Sequence, residues 1–551
     1  MKRAQEGSSS SSPPGTEVRA HKVVRRQSGP AASAAPPRKV IRCTVHESIY
    51  LEPLLVQIVD TSHYQRLRSL KQLGTTPKVY PCATHTRFDH SLGVATLAEQ
   101  LCRSIADHPM PAGVEKPTER DILCVKIAAL CHDLGHGPYS HVFDGHLVPL
   151  ILGPGQHKHE ELSVRLLHCL LKEHQIDLGQ HHASDGEQLD HGTDLSFIGE
   201  LILGDDLPGG VLARKGRGPE KSYLYDVVSN VDSGLDVDKL DYLQRDPRMT
   251  GNAPPQFKVD HLFDNAQVRM SRFDGEPKPR PTICFAAKVK TDVLGVFQTR
   301  YIMHKKTYTH KVSVGYELLL VDYLTAADAL GTIYPRQEAG KVSGGLRLGD
   351  TVREGNEKAF LKMTDDNLLL YYDQLLLACE DALQSKPESS AKSAEKLELA
   401  RVRRLQQRVD ARLPYRCIGE RKYDAGSSRE EQEEAIASSL RRANLADAEF
   451  HVELQHCHYG KKAKNPALAV RFFKKNTGPD DEAKSLREKD FDDADLPKAF
   501  ESKRFRAFFK GERSDPKYAA AVAELSDDSD EECEDDDVGA SQEPGIEPPA
   551  D

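Results

Sequence analysis

The chain has 551 residues, 38% of them hydrophobic, with 75 Lys and Arg against 85 Asp and Glu for a formal net charge of −10. Residues 1–42 carry +7, residues 43–525 carry −5, and residues 526–551, with 12 carboxylates and no Lys or Arg, carry −12. The acidity therefore belongs to a tail and does not exclude an anionic substrate, whereas the lack of any run near ~18 apolar residues excludes a transmembrane helix. The N-terminus has no apolar stretch of the kind a secretory signal needs. Eleven cysteines lie singly with no CxxC pair, which fits buried thiols in a reducing compartment better than a disulfide framework. A soluble intracellular protein is expected.

In chain order, residues 1–38 are rich in Ser, Pro, Gly and Ala without hydrophobic periodicity and read as a disordered tail. Its small basic clusters, Lys2-Arg3 and His21 to Arg26, fit a nuclear-import signal or nucleic-acid contact as well as a solvated tail. From about Val40 the spacing predicts amphipathic or buried helices in LEPLLVQIVDTSHYQRLRSLKQLG, SLGVATLAEQLCRSIADH, ERDILCVKIAALCHDLGH and HEELSVRLLHCLLKEH. Strands are predicted in KVIRCTV and PTICFAAKVKTDVLG, with weaker signals in FHVELQHCHYG and ALAVRFFKK. Loops are predicted at 179–194, 204–220, 338–349 and 385–396, and a second lobe from near 330. Asp527–Asp537, nine carboxylates in eleven residues, reads as a disordered acidic tail.

The chemistry gathers around one helix, predicted over Asp121–Asp133, that ends in Cys-His-Asp-Leu-Gly-His-Gly-Pro. Alone, His-Asp at a helix C-terminus is more often a cap or dipole partner than a metal ligand. The surroundings add His90 in HTRFDHSLGV, then His141, Asp144, His159 and Glu160, and the carboxylate-rich GLDVDKLDY. A helical hydrolase binding one ion needs two imidazoles and two carboxylates from separate helices, and His90, His132, Asp133 and Asp238 supply them. Mixed N/O ligation suits Fe, Mn or Zn rather than Ca.

The order His…His-Asp…Asp resembles the HD superfamily of metal-dependent phosphohydrolases. The strings RLRSLKQLG, HTRFDHSLGV, CHDLGHGPYSHVFDG, DVDKLDYLQRD and HKKTYTHK closely resemble the sterile-alpha-motif and HD-domain deoxynucleoside triphosphate triphosphohydrolase family of animals, from about Lys39 to about Lys510. No sterile-alpha-motif domain is expected in the low-complexity residues before Lys39. The resemblance implies a mainly α fold: an HD phosphohydrolase domain at 39–330, with its metal core at about 87–243, and a smaller mixed α/β C-terminal regulatory and oligomerisation lobe at 331–525.

It also implies roles. His90, His132, Asp133 and Asp238 would bind the divalent metal. His136, His141, Asp144 and His159 would form the acid/base cluster beside the α-phosphate. Arg87, Lys239, Tyr242 and Arg300 would hold the triphosphate, with Mg on its oxygens, while Gln72, Leu73, Asp246 and Tyr308 surround the sugar. The implied reaction converts a dNTP to deoxynucleoside and inorganic triphosphate. Leu73 and Tyr308 against C2′ would leave a 2′-hydroxyl without room or partner, at a cost of ~1–3 kcal/mol.

The family is activated by GTP at one site and a dNTP at a neighbouring one, both built between subunits, so nucleotide drives assembly of a homotetramer. The GTP-site matches are Lys39, Val40, Asp60, Gln65, Arg68, Arg412 and Arg416, with Pro414 replacing a Leu. At the dNTP site Val79, Tyr80 and Lys288 match, but Arg42, His261, Ala286 and Asp292 depart from the family pattern, so weaker or altered activation is expected there. Alternatives are an HD-type phosphodiesterase or nucleotidase, and a catalytically silent scaffold for single-stranded nucleic acid. The expected compartment is nucleus and/or cytoplasm, the nucleus favoured; roles in dNTP homeostasis, DNA repair and antiviral defence are implied by the resemblance alone.

Overall fold

The computed structural model describes residues 38–526 except 208–213, 253, 274–277, 339–340 and 493–495. The tails expected to be disordered fall outside these residues, apart from Arg38 and Ser526 at their edges. The described chain is mainly helical, with 55% helix and 13% strand, and no helix in it is long and apolar enough to cross a membrane. Its ten cysteines are all free thiols.

Strands β1 (Lys39–Cys43) and β2 (Glu47–Leu51) form an antiparallel hairpin. The stretch predicted as one long helix then breaks into Pro53–Val59, Ser62–Gln65 and a 3-10 turn at Arg66–Ser69. The break is chemical: Thr61 takes extended backbone angles and its hydroxyl accepts from the Tyr64 amide, starting a new helix. The core helices follow as α1 (Arg87–Ala106), α2 (Glu119–Cys131), α3 (His159–Glu173), α4 (His191–Leu203) and α5 (Val237–Thr250). Helix α2 begins at Glu119, the first residue of the predicted string, because Thr118 and Asp121 close a capping box, with Thr118 N donating to Asp121 Oδ2 at 3.0 Å. Apolar stripes on these helices place Leu92, Leu130, Leu166 and Leu240 at no more than 2% exposure, each contributing roughly 1.5–3 kcal/mol by burial.

Strands β3 (Ala266–Ser271) and β4 (Arg280–Ala286) come next. The strand predicted over PTICFAAKVKTDVLG ends at Ala286. From Lys290 the chain is helix α6 (Lys290–Met303), burying Val293, Leu294, Val296 and Phe297, a helical spacing that outweighs the β-branched content. A π-turn at His304–Tyr308 leads into α7 (Lys311–Leu330). The loop predicted at 338–349 is largely a hairpin of β5 (Tyr334–Glu338) and β6 (Lys341–Leu346). The loop predicted at 385–396 is short, because Ser389 caps a new helix. Two long helices, α8 (Asp365–Ser385) and α9 (Ser390–Asp410), precede the last sheets.

Strands β7 (Arg416–Lys422), β8 (Phe450–His458) and β11 (Glu501–Phe509) make an antiparallel sheet in the order β7-β11-β8. Strand β9 (Arg471–Phe473) pairs in parallel with β4, and β10 (Lys484–Ser485) pairs with β9, completing a β10-β9-β4-β3 sheet. The late chain thus adds strands to a sheet begun before residue 290. One apolar cluster runs from Ile49 to Phe508, and a smaller one under the three-stranded sheet includes Ile436, Leu440, Phe505 and Leu525.

Candidate active site

Three helices meet at their ends. His90 lies on α1 one turn from its start, His132 and Asp133 follow the last turn of α2, and Asp238 is in the first turn of α5. His90 Nε2 lies 2.9 Å from Asp238 Oδ1 and 3.7 Å from Asp133 Oδ2. His132 Nε2 lies 3.3 Å from Asp133 Oδ1 and 3.6 Å from Asp238 Oδ1. His132 Nδ1 donates to the Ala129 carbonyl at 2.7 Å, which leaves the Nε2 lone pair facing the carboxylates. That nitrogen is buried without a hydrogen-bond partner. An acceptor orphaned between two carboxylates is what a divalent cation would satisfy, so these residues fit one, and the donor set is that of a borderline ion.

The electrostatics agree. Burial opposes ionisation of Asp238, yet His132 and His90 hold its carboxyl well below the usual range. Burial likewise disfavours a charged His90, but its hydrogen bonds to the Asp238 and Asp241 carboxylates raise it to about 10. Asp133 is held low against burial by Arg87, whose Nη1 donates to its Oδ2 at 2.6 Å.

Behind the cluster stands a second ring. Asp241 is fully buried and accepts from His90 Nδ1 at 2.8 Å, from Arg245 Nε and Nη2 at 2.8 and 2.9 Å, and pairs with His46 Nε2 at 2.5 Å. Gly93, one turn after His90, makes the fit possible: a Cβ there would lie 2.0 Å from Asp241 Oδ1. Gly135 plays the same part in the α2–α3 connection, where a Cβ would lie 2.1 Å from the His159 carbonyl. The buried Arg66 guanidinium fixes this loop by donating to the carbonyls of Leu134 and His136. Tyr139 and Ser140 both take positive φ, 59° and 55°, a strain of about 1–3 kcal/mol each. The turn is held because Asp365 accepts from Tyr139 N, and Ser140 Oγ accepts from Arg87 Nε while donating to the Lys71 carbonyl.

Next to the metal cluster lies the histidine group. His136 Nδ1 lies 2.5 Å from Asp144 Oδ2, and its Nε2 lies 3.3 Å from Asp133 Oδ1. His159 stacks on it at 3.8 Å and His141 meets it edge-on at 5.7 Å. Burial, aided by Arg87, lowers His141 to about 4; burial and His136 keep His159 well below its ordinary value. Both rings are therefore neutral at pH 7. His157, a residue the sequence reading passed over, takes the other Asp144 oxygen at 3.0 Å.

His90, His132, Asp133, Asp238 and the rings of His136, His141 and His159 floor a cavity of about 710 Å³. Gln72, Leu73, Arg87, Tyr242, Asp246, Arg300 and Tyr308 line it, as do His304 and, from β8, Glu453 to His456. Tyr308 donates to Asp246 Oδ2 at 2.6 Å while His85 holds the other oxygen at 2.7 Å. Gln72 Oε1 is a buried acceptor with no partner. The Arg300 guanidinium is anchored on the His458 carbonyl. Lys239 does not line the cavity; its ammonium turns back to the Gly234 carbonyl and lies 3.6 Å from Asp236.

The residues expected at the nucleotide-gating sites lie elsewhere on the surface. Lys39 Nζ is 3.6 Å from Asp60, and Arg68 donates to Gln65 Oε1 at 2.8 Å while stacking over Phe88. Val40 is exposed on β1 and Arg416 opens β7. Arg412 donates to the Lys78 carbonyl, beside Val79 and Tyr80, and the Tyr80 hydroxyl donates to the Lys306 carbonyl at 2.8 Å. Lys288 sits on the turn after β4. Of the departing residues, His261 and Asp292 pair at 3.3 Å, and Arg42 donates across its hairpin to Ser48 Oγ.

A helical core whose His/His-Asp/Asp cluster closes from three helices defines an HD-domain protein, and the HD domain family model matches residues 87–213. The chain is 34% identical over 459 residues to the deoxynucleoside triphosphate triphosphohydrolase SAMHD1 of Danio rerio, covering 80% of this chain and 66% of that protein. It is 32% identical to the protein of that name from Gallus gallus (88% of this chain, 74% of that protein) and 32% identical to the one from Homo sapiens (79% and 65%). The chain thus spans about two thirds of the length of these curated relatives, and it belongs to their family.

Several residues of the site escaped sequence reasoning: Asp241, His46, Arg245, His157, His85 and the cavity-lining part of β8. Asp241 alone had a readable signal, standing three residues after Asp238 in the carboxylate-rich string GLDVDKLDY.

Proposed function

We propose that the chain hydrolyses dNTPs at the α-phosphorus, releasing deoxynucleoside and inorganic triphosphate. The observation that carries this reading is the cluster of His90, His132, Asp133 and Asp238 facing the same cavity as Arg87 and Arg300, whose wall carries the Tyr308–Asp246 pair. Two guanidiniums suit a triphosphate of roughly four negative charges better than a monophosphate or diester. A divalent ion on His90, His132, Asp133 and Asp238 would supply Lewis-acid polarisation of the α-phosphoryl group and help activate a water.

The chain's own residues do the rest. Arg87 spans Asp133 and Ser140 and has its second terminal nitrogen, buried and unpartnered, free to meet a phosphate oxygen. His136, oriented through Nδ1 by Asp144, presents Nε2 on the side of Asp133, where a proton can pass to the leaving 5′-oxygen. Asp246 and the unpartnered Gln72 oxygen suit the 3′-hydroxyl, and Leu73 with Tyr308 excludes a 2′-hydroxyl. The test is product analysis: purified protein, dGTP, GTP and divalent metal should give inorganic triphosphate and deoxyguanosine on ion exchange. Pyrophosphate with monophosphate, or no turnover, refutes the reading.

Gating by GTP and a dNTP through tetramer assembly is part of the same proposal, supported by Lys39, Asp60, Gln65, Arg68, Arg412 and Arg416. The His261–Asp292 pair places a carboxylate where the relatives' pattern has neutral or cationic groups, so the second nucleotide should act weakly. Oligomer mass should then rise little when dATP is added to GTP; tight tetramers at micromolar dATP would overturn that part.

A further inference from the structure

Among the described residues Arg87 has two anchors: Nη1 donates to Asp133 Oδ2 at 2.6 Å and Nε to Ser140 Oγ at 2.8 Å. One anchor alone would let the planar guanidinium swing about Nη1. The Ser140 contact fixes its plane and so aims the unpartnered Nη2. Ser140 itself stands on strained backbone, with φ of 55° after the 59° of Tyr139. Such a turn keeps its shape only where its surroundings hold it.

What holds it comes from far along the chain. Asp365, the first residue of α8, accepts from Tyr139 N at 2.8 Å through Oδ1 and from Lys71 N at 3.0 Å through Oδ2. The Tyr139 hydroxyl donates to the Asp365 carbonyl at 3.0 Å, and Lys71 Nζ lies 3.6 Å from Oδ2. The Lys71 carbonyl accepts from Ser140 Oγ at 2.8 Å, which closes a ring of contacts through both segments. The Lys71 segment is in turn paired with the start of α1: the Arg87 amide donates to the Leu70 carbonyl and the Gln72 amide to the His85 carbonyl, each at 3.0 Å. One carboxylate, 1% exposed and outside the cavity lining, therefore spans the two backbone segments that flank Arg87. Burial pushes its carboxyl up against the pull of both amides. An amide side chain in its place would turn an NH₂ group toward one of those backbone N–H groups, so the pair calls for a carboxylate. We propose that Asp365 is a positioning residue for the triphosphate: by tying the Lys71 segment to the Tyr139–Ser140 turn, it aims the Arg87 guanidinium. This inference rests on the proposed dNTP hydrolysis.

The test reads affinity for inorganic triphosphate by calorimetry, and kcat and KM for dGTP, both with GTP and divalent metal present. Asp365→Asn keeps the shape and loses an acceptor; it should weaken triphosphate binding about tenfold and raise KM, whereas a folding defect would lower kcat and leave KM alone. Ser140→Ala should do the same, and the double variant should fall within about twofold of the weaker single, because both act through one chain of contacts. Asp365→Glu keeps both acceptors on a longer arm and should lose less than Asp365→Asn. Leu368→Ala, which empties a fully buried position one turn into α8, should lower the unfolding temperature without moving triphosphate affinity. Four results would each overturn the inference: unchanged affinity in Asp365→Asn, losses that multiply in the double variant, a larger loss in Asp365→Glu than in Asp365→Asn, or an equal loss in Leu368→Ala. Triphosphate binding without hydrolysis of any dNTP would refute the reaction alone, with Asp365 still judged on affinity. Neither binding nor hydrolysis in wild-type protein would refute both.

Discussion

Replacing His132 by alanine should lower triphosphate release by about 10³-fold or more, since a bound divalent ion supplies several kcal/mol of transition-state stabilisation. The variant should stay folded. His132 makes one hydrogen bond, from Nδ1 to the Ala129 carbonyl at the end of α2, and its Nε2 has no partner to strand. The lost bond is worth about 0.5–1.5 kcal/mol, so circular dichroism and thermal unfolding of chelator-treated protein should differ little from wild type. Bound metal, measured by mass spectrometry of the untreated proteins, should fall away in the variant. Full metal content with full activity would remove His132 from the site.

Asp241→Asn should do the opposite kind of damage. Asp241 touches no substrate, yet it balances the buried Arg245 guanidinium and fixes the tautomer of His90. Removing its charge without changing its shape leaves Arg245 uncompensated, at about 3–5 kcal/mol of stability. It also loosens the His90 ligand, at about 10–100-fold in metal affinity. Denaturant unfolding of metal-free protein measures the first effect and competition with a chelator the second. A further Arg245→Met change should restore much of the stability and none of the metal affinity, which separates the two roles. Unchanged unfolding in Asp241→Asn would mean that Arg245 is balanced by something else.

The His/Asp cluster was legible only from its strings taken together, since His-Asp at a helix end is by itself more often a cap or dipole partner. Of the three helices that carry it, α1 and α2 were legible from apolar spacing, while α5 was hidden in a carboxylate-rich stretch that gave no helical signal. What lay hidden depends on distance along the chain. His46 reaches Asp241 across 195 positions, and no local pattern encodes that contact. The Pro53–Ser69 stretch read as one helix because its apolar spacing continues through Thr61, while the hydroxyl cap that breaks it is a single hydrogen bond. In PTICFAAKVKTDVLG, β-branched residues masked a helical spacing that tertiary burial brought out. Lys239 belonged to a recognisable string, yet its ammonium turns to the Gly234 carbonyl and the Asp236 carboxylate, contacts that the string does not reveal.

The cavity wall formed by β8 has a consequence for synthesis. All four residues of the His/Asp cluster have been made once the ribosome passes Asp238, but Glu453 to His456 follow about 200 residues later, roughly 10–40 s at ordinary elongation rates. In that interval Arg300, His304, Tyr308 and the other lining residues of α6, α7 and the turn between them are made, so β8 supplies the last of the cavity wall. The lining of the cavity is therefore complete only once β8 has been made, long after the His/Asp cluster at its floor.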